Sequence, residues 1–275
     1  MSEHDPQPTL RPVTPLGIAA RDLALVSGQV AAGEAPADLS AELSRLSALI
    51  GGLDPYVEAN TTAHSAPLAE LANRTAREDW ARVFGTGQSE VALEAEMLSG
   101  HVEGQFLKML VRAMGARRVL EIGMFTGYGA LAMAEALPED GVLIALELDP
   151  YVARFAQDGF DNPAGRKIEV RVGPALEALH AMSDDGEAPF DFVFIDADKG
   201  GYADYLRAVL DGGLLAENGL IGVDNTLLQG EPYLPEPGAN GAAIAAFNRE
   251  VAQDARLEQV LVPLRDGLTL IARAS

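Results

Sequence analysis

The sequence predicts an α/β fold: a mostly parallel seven-stranded sheet with helices on both faces, an antiparallel last strand, and helices in front of it. Three features carry that expectation. From residue 118 onward, short β-type runs alternate with stretches of helical spacing. Two of the runs, 190–196 and 220–224, are almost wholly apolar and end in Asp, as strands buried on both faces do. The last two runs, 257–263 and 268–273, are joined by a short turn at 265–267, too short for a parallel crossover.

Taken in order, residues 1–13 are polar and Pro-rich and read as a flexible N-terminus. Residues 14–95 read as a helical extension. Apolar residues recur at helical spacing over 15–32 and 37–50, around a Gly/Pro break at 33–36. Residues 51–55 interrupt the pattern, and 56–84 resumes it, with Thr61, Thr62 or Ser65 as a cap. The stretch 90–114 is expected to be helical to near Gly115. Residues 96–275 form the expected main domain. There, strands at 118–121, 142–147, 167–172, 190–196 and 220–224 alternate with helices at 127–137, 150–160, 175–182, 202–210 and 241–252. Ligands of such sheets bind beyond the carboxyl ends of the strands, near the switch point.

Composition removes several classes of function. The 275 residues are 48% hydrophobic, enough for a sizeable core, and carry a formal net charge of −21. That charge opposes binding to nucleic acid or to anionic membrane surfaces. There is no cysteine, hence no disulfide, thiolate metal site or thiol nucleophile. The first residues lack the basic and apolar regions of a signal peptide, and no apolar run reaches membrane-spanning length, so the expected location is the cytoplasm. Of the 20 basic residues, only Lys108, Lys167 and Lys199 are lysines, so each lysine asks why it is not arginine.

The loop 121–129 reads Glu121-Ile-Gly123-Met-Phe125-Thr-Gly127-Tyr128-Gly129. It follows a strand and opens a helix, and Gly123 and Gly127 allow backbone to approach a ligand. Its spacing is not the G-x-G-x-x-G of a dinucleotide loop, and an acid at 121 suits an ammonium group better than a phosphate. The next strand ends at Glu147, with Asp149 close behind; either acid could accept hydrogen bonds from a ribose diol. Together these features point to a nucleoside cofactor, while each alone is ordinary α/β punctuation.

Two later strands deliver Asp196 and Asp224, the second followed by Asn225. Either acid alone could simply cap the helix after it. If the strands are neighbours, two carboxylates and an amide oxygen converge, a donor set for a hard divalent cation such as Mg²⁺. Lys199 follows Asp196 by three residues. A lysine whose pKa is lowered beside a cation could act as a base, which arginine could not; an exposed loop lysine is the plainer alternative. His4, His64, His101 and His180 are scattered without metal spacing, and Trp80 with Glu78 and Asp79 reads as packing and surface.

At these residues the sequence resembles the cation-dependent class I O-methyltransferases, the caffeoyl-CoA and catechol group. The likeness spans residues 96–273 and rests on Glu103-Gly104-Gln105, residues 121–128, Glu147, Gly173-Pro174-Ala175, residues 196–199, Asp224-Asn225 and Asp266-Gly267. The resemblance implies a Rossmann-like methyltransferase fold, S-adenosylmethionine as cofactor and a divalent cation, Mg²⁺ being the expectation. It implies cofactor contacts from Glu121, Gly123, Phe125, Gly127, Tyr128, Gly129, Glu147, Leu148, Pro174, Ala175 and Asp196. Asp196, Asp224 and Asn225 would hold the metal, and Lys199 and Asp196 would be catalytic. Gly129 departs from the pattern, because the family usually has Ser there to help hold the cofactor's carboxylate.

A finer likeness is to the O-methyltransferases of mycosporine-like amino acid biosynthesis. It rests on residues 52–56, 96–101, 123–128 with Met124, 224–230 and 263–267, and so extends into the N-terminal helices. It implies a small enolic ring as acceptor, demethyl-4-deoxygadusol becoming 4-deoxygadusol. A catechol or caffeoyl-CoA type acceptor is the alternative, and a nicotinamide-dependent oxidoreductase is the alternative of another class. The expected partners are a small-molecule substrate and a second copy of the chain, with neither nucleic acid nor membrane.

Overall fold

The computed structural model describes residues 15–34 and 37–274. The segment 1–13, with His4, lies outside these residues. In the extension, α1 (Pro15–Gln29) packs against α2 (Ala37–Gly51), and the hydroxyls of Ser27 and Ser44 share a 3.0 Å hydrogen bond. The interruption expected at 51–55 shrinks to Gly52, because α3 (Leu53–Ala59) starts at once. Pro55 sits in its first turn, where the missing N–H costs no helical bond.

Residues 56–84 are not one helix. The end of α3 is followed by α4 (Ala66–Arg77) and α5 (Trp80–Gly85). Ser65 is the N-cap of α4, its hydroxyl accepting from the Leu68 N–H at 3.4 Å, and Asp79 caps α5 in the same way. The helix expected from residue 90 begins later, as α6 (Gly100–Met114). Gly100 takes φ +76, a left-handed value that ends any helix arriving from upstream. Gly115 closes α6 in the left-handed conformation.

The sheet contains β1 (Arg118–Ile122), β2 (Val142–Glu147), β3 (Ile168–Val172), β4 (Phe190–Ile195), β5 (Leu215–Val223), β6 (Leu257–Val262) and β7 (Leu268–Arg273), in the order β3-β2-β1-β4-β5-β7-β6. Only β7 runs against the others. The strand expected from residue 220 starts at Leu215, because a register shift between Phe190 and Phe192 lets β5 pair with β4 on both sides of an irregularity. Helices α7 (Tyr128–Ala134), α8 (Pro150–Gln157), α9 (Ala175–Asp184), α10 (Tyr202–Asp211) and α11 (Ala239–Gln253) complete the fold.

Side chains alternate across the sheet. Leu120, Ile122, Val193 and Ile195 pack on one face with Tyr202 and Val209. Val119, Phe192 and Phe194 pack on the other with Leu107 and Leu131. Both faces are therefore buried, which explains the unbroken apolar run of β4. Among the described residues no helix is long and apolar enough to cross a membrane. Strand β1 lies between β2 and β4, so the connections leave it in opposite directions and open a crevice at its carboxyl end.

The extension braces that crevice. Thr75 of α4 is fully buried. Its hydroxyl donates to Leu71 O at 2.9 Å and shares a 2.9 Å hydrogen bond with the Thr126 hydroxyl in the loop after β1. Trp80 Nε1 donates to Thr75 O at 2.9 Å. Thr75→Val keeps the shape and strands the Thr126 hydroxyl, so urea unfolding should show a loss of about 1–3 kcal/mol. A loss below about 0.5 kcal/mol, within the range of neutral surface changes, would refute the brace.

Candidate active site

At the carboxyl end of β1 the chain turns in a left-handed Gly123 (φ 86), a left-handed Phe125 (φ 52) and a left-handed Gly127 (φ 85). For Phe125 that conformation costs on the order of 1–2 kcal/mol. The turn is held by β2: the Gly123 and Met124 N–H groups donate to Leu146 O at 3.0 and 3.2 Å, and Phe125 N–H donates to Glu147 Oε2 at 2.8 Å. The other Glu147 oxygen accepts from Asp149 N–H at 2.9 Å. Each carboxylate oxygen can accept a second bond, so Glu147 retains capacity for a diol. Burial raises its pKa, with the N–H of Asp149 and that of Phe125 acting the other way.

A cavity of about 910 Å³ opens there, walled by Gly123, Phe125, Glu147, Leu148, Pro174 and Ala175 at one end and by Asp196, Lys199, Asp224 and Asn225 at the other. These ten expected residues are brought together. Four others are not in the wall. Glu121 lies beneath the loop in β1, 1% exposed, where burial, and after it Asp196, raise its pKa well above the usual carboxylate value. Tyr128 is buried and its hydroxyl is 3.1 Å from His64 Nδ1. Gly127 is pressed against the Phe160 ring. Gly129 faces Glu121: a Cβ added there would lie 2.5 Å from Glu121 Oε1 and 3.5 Å from Ser99 Oγ. The space of the family's Ser side chain is thus shared by two side chains from other elements.

At the acidic end, Asp196 N–H donates to Ile122 O and Asp224 N–H to Ile195 O, both at 2.9 Å. The ladder of each strand therefore runs on by one bond and places the two acids side by side. Asn225 adopts φ 57, a left-handed value that Asn tolerates. The Lys199 ammonium donates to Asp196 Oδ1 at 3.0 Å, to Asn225 Oδ1 at 2.6 Å and to the Tyr202 hydroxyl at 2.7 Å. Tyr202 in turn donates to Asp224 O at 3.0 Å.

The lowering expected of Lys199 concerns a bound cation; within the polypeptide, opposing effects act on its pKa. Burial pulls it down, but the Tyr202 hydroxyl, Asp196 and Asp224 outweigh burial and leave it raised. Asp224 is pushed up to about 7, chiefly by burial and then by Asp196. Among the described residues no three Asp, Glu, His or Cys side chains form a metal-holding group; the expected third donor is the Asn225 amide. The Asp196 carboxylate and the Asn225 amide oxygen already meet on the Lys199 ammonium, the Asp224 carboxylate acts on it by charge, and the three are of the chemical type that fits a hard cation.

Sequence reasoning gave no role to several residues of the wall or behind it. Tyr202 was read only as a helical position, although its place three residues after Lys199 brings the hydroxyl within reach. Met97, Leu98 and Ser99 enter the wall from the segment before α6, which was read as helix. Glu103 was part of a motif, and Arg265 lay in a turn. Trp80, read as packing, is buried with its ring 5.2 Å from Phe125.

The O-methyltransferase family model matches residues 85–274. The chain is 34% identical over 219 residues to caffeoyl-CoA O-methyltransferase 2 of Petunia hybrida, covering 76% of this chain and 84% of the relative. Its fold matches the SAH-bound methyltransferase of Podospora anserina with a TM-score of 0.70 and 27% identity, over 81% of this chain and 94% of that one. It also matches the O-methyltransferase of tomaymycin synthesis from Streptomyces achromogenes, solved in complex with SAM, with a TM-score of 0.67 and 27% identity, over 82% and 96% of the two chains.

Asp224 gives the site a pH dependence. Its pKa in the fold, about 7, lies above the ordinary 3.8, so the folded protein holds a proton there that the unfolded chain releases. The stability linked to that proton is full below pH 3.8 and is lost as pH rises through about 7. In chelator-treated protein, Asp224→Asn should flatten the decline of Tm across that interval. An unchanged decline would assign it to other groups.

Proposed function

This chain belongs to the O-methyltransferase family, and from that premise we propose that it transfers a methyl group from S-adenosylmethionine to one of two adjacent oxygens on a small enolic ring. Family membership disposes of the nicotinamide alternative. The observation that carries the proposal is the meeting of Asp196, Asp224, Asn225 and Lys199 in the same cavity as Glu147 and the Gly123 turn.

Asp196, Asp224 and Asn225 would hold a divalent cation, and Glu147, Phe125 and Ala175 the nucleoside. When bound, S-adenosylmethionine supplies the methyl on a positively charged sulfur, and Mg²⁺ supplies a Lewis-acidic contact that lowers the pKa of the accepting hydroxyl. Glu147 would accept from a diol while it fixes Phe125 and Asp149, so cofactor position and loop conformation would be set together. Lys199 places a positive charge where negative charge gathers on the accepting oxygen. Its tie to Tyr202 keeps it there. A conjugated enol is already acidic, so Lys199 serves it by electrostatics more than by removing its proton.

The acceptor we propose is demethyl-4-deoxygadusol, methylated to 4-deoxygadusol. The charge of the wall supports a small ring: among the described residues its only Lys or Arg side chains are Lys199 and Arg265, against acids that include Glu94, Glu96, Asp198 and Asp266. The phosphates of CoA would meet mostly carboxylates. The second reading, a caffeoyl-CoA or catechol type acceptor, is favoured by the names of relatives such as the Petunia enzyme.

Turnover measured with S-adenosylmethionine, Mg²⁺ and demethyl-4-deoxygadusol, catechol or caffeoyl-CoA separates these readings. The first should be methylated fastest, and a chelator should abolish the activity until Mg²⁺ is restored. No turnover of the first sinks the narrow acceptor; activity that survives chelation sinks the cation. Lys199→Met should lower kcat by about 10²-fold or more with catechol and by less with the enolic ring. Equal losses would reject the electrostatic role.

A further inference from the structure

The acidic end of the cavity contains a polar pair to which the proposed function gives neither cation nor cofactor. Glu103, on α6, has a side chain only 3% exposed. Its Oε1 has no hydrogen-bond partner in the protein. Its Oε2 lies 3.8 Å from Arg265 Nε, too far for a hydrogen bond. Burial, and after it Asp224, raise the Glu103 pKa well above the usual carboxylate value, and the carboxyl group faces the guanidinium without closing on it. Both residues line the cavity that holds Asp196, Asp224 and Lys199.

Arg265 is held with some care. Its Nη1 donates to Leu98 O at 3.3 Å. A Cβ at Gly100 would lie 2.4 Å from that same Nη1, so a glycine keeps the space open. The turn carrying Arg265 is tied down by its neighbour, since Asp266 Oδ1 accepts from Gln229 N–H at 2.6 Å and Asp266 O from Leu227 N–H at 2.9 Å. A guanidinium has five N–H donors, and among the described residues Arg265 makes no other hydrogen bond that would occupy them. A buried acceptor without a donor costs stability. A fixed cation with spare donors beside it forms the matching half of a site for a group that both donates and accepts.

We infer that Glu103 and Arg265 recognise a further hydroxyl of the acceptor ring, beyond the adjacent oxygen pair: Glu103 Oε1 accepts from that hydroxyl, and the Arg265 guanidinium donates to its oxygen or to a neighbouring one. The inference rests on the acceptor reading above, since it concerns the same cavity. A catechol has nothing to offer the pair, whereas a polyhydroxylated ring satisfies it. Discrimination is then strong, because a ring lacking the hydroxyl leaves buried polar groups unpaired.

The test uses the full chain and the variants Glu103→Gln, Arg265→Gln and Arg265→Lys, with catechol and pyrogallol as matched acceptors and demethyl-4-deoxygadusol as the third. Binding of each ring to protein saturated with S-adenosylhomocysteine is followed by titration alongside KM and kcat, so a ring that is not turned over still reports. Pyrogallol should bind wild-type protein more tightly than catechol. Glu103→Gln and Arg265→Gln should weaken pyrogallol by about 10-fold or more, appearing in KM rather than kcat, with a smaller effect on catechol. Arg265→Lys should recover part of the loss. Affinity for S-adenosylhomocysteine and for Mn²⁺ should be retained in each variant that unfolds at the wild-type temperature.

Equal weakening of both rings overturns the inference. So does a loss of Mn²⁺ affinity in Glu103→Gln, which would place that carboxylate in the cation site. Binding of pyrogallol and its expected loss in the variants, without turnover of demethyl-4-deoxygadusol, would uphold the pair and reject the narrow acceptor. A wild-type protein that binds none of the rings rejects both.

Discussion

The site depends on how closely the ends of β1 and β4 approach. A Cβ on Gly123 would lie 2.1 Å from Asp196 O and 2.9 Å from Ala197 Cα, so backbone fills the place of a side chain. Because those neighbours are backbone, they cannot turn aside as a side-chain tip could. The approach is locked from both flanks, by Gly123 N–H on Leu146 O and by Asp196 N–H on Ile122 O. Three strand ends are thus fixed in one plane. The cofactor end and the acidic end share a wall for that reason, which brings the two ends of the cavity against each other.

Charge sets the second constraint. Burial raises Glu147 and Asp224, and Asp196 raises Asp224 further. Gathering carboxylates in one buried place is unfavourable unless cations accompany them. Lys199 accompanies Asp196 and Asn225, and Tyr202 holds it in place. The left-handed Phe125 and Asn225 add backbone strain at the same place. Such costs are carried by the core around them, where Ile122, Val193 and Ile195 are fully buried. A strongly acidic chain that spends only three lysines and places one of them here uses it for charge balance first.

Sequence reading reached the sheet and the strand-end acids because both are local. Alternation, apolar runs and terminal acids are properties of neighbouring residues, and the strand-ending Asp196 and Asp224 follow from them together with the rule for parallel sheets. What escaped it is set by contacts between distant segments. Nothing near Thr75 announces that its hydroxyl meets Thr126, or that Trp80 packs on Phe125. Glu121 adjoins the glycines in sequence, while as a strand residue it is buried below the loop. The helix expected from residue 90 failed at Gly100, where the left-handed turn makes room for Arg265, a partner 165 residues away in sequence.

The two ends of the cavity are built from different material, and this bears on how such a site can change its acceptor. The cofactor end is made by β1, β2 and the backbone turns after them, where a change at Gly123 would disturb the sheet itself. The acceptor end draws Met97, Leu98 and Ser99 from the segment before α6, Leu228 and Gln229 from the connection after β5, and Arg265 from the turn between β6 and β7. None of these three segments carries a strand of the parallel core, and connecting segments tolerate change better than the elements they join. Arg265 can therefore be exchanged without moving Asp196 or Glu147. On the proposed function, the acidic end is fixed at the strand ends that carry Asp196 and Asp224 and is built from connecting segments where the ring would be recognised, so the acceptor would be set by those three segments rather than by the loop after β1.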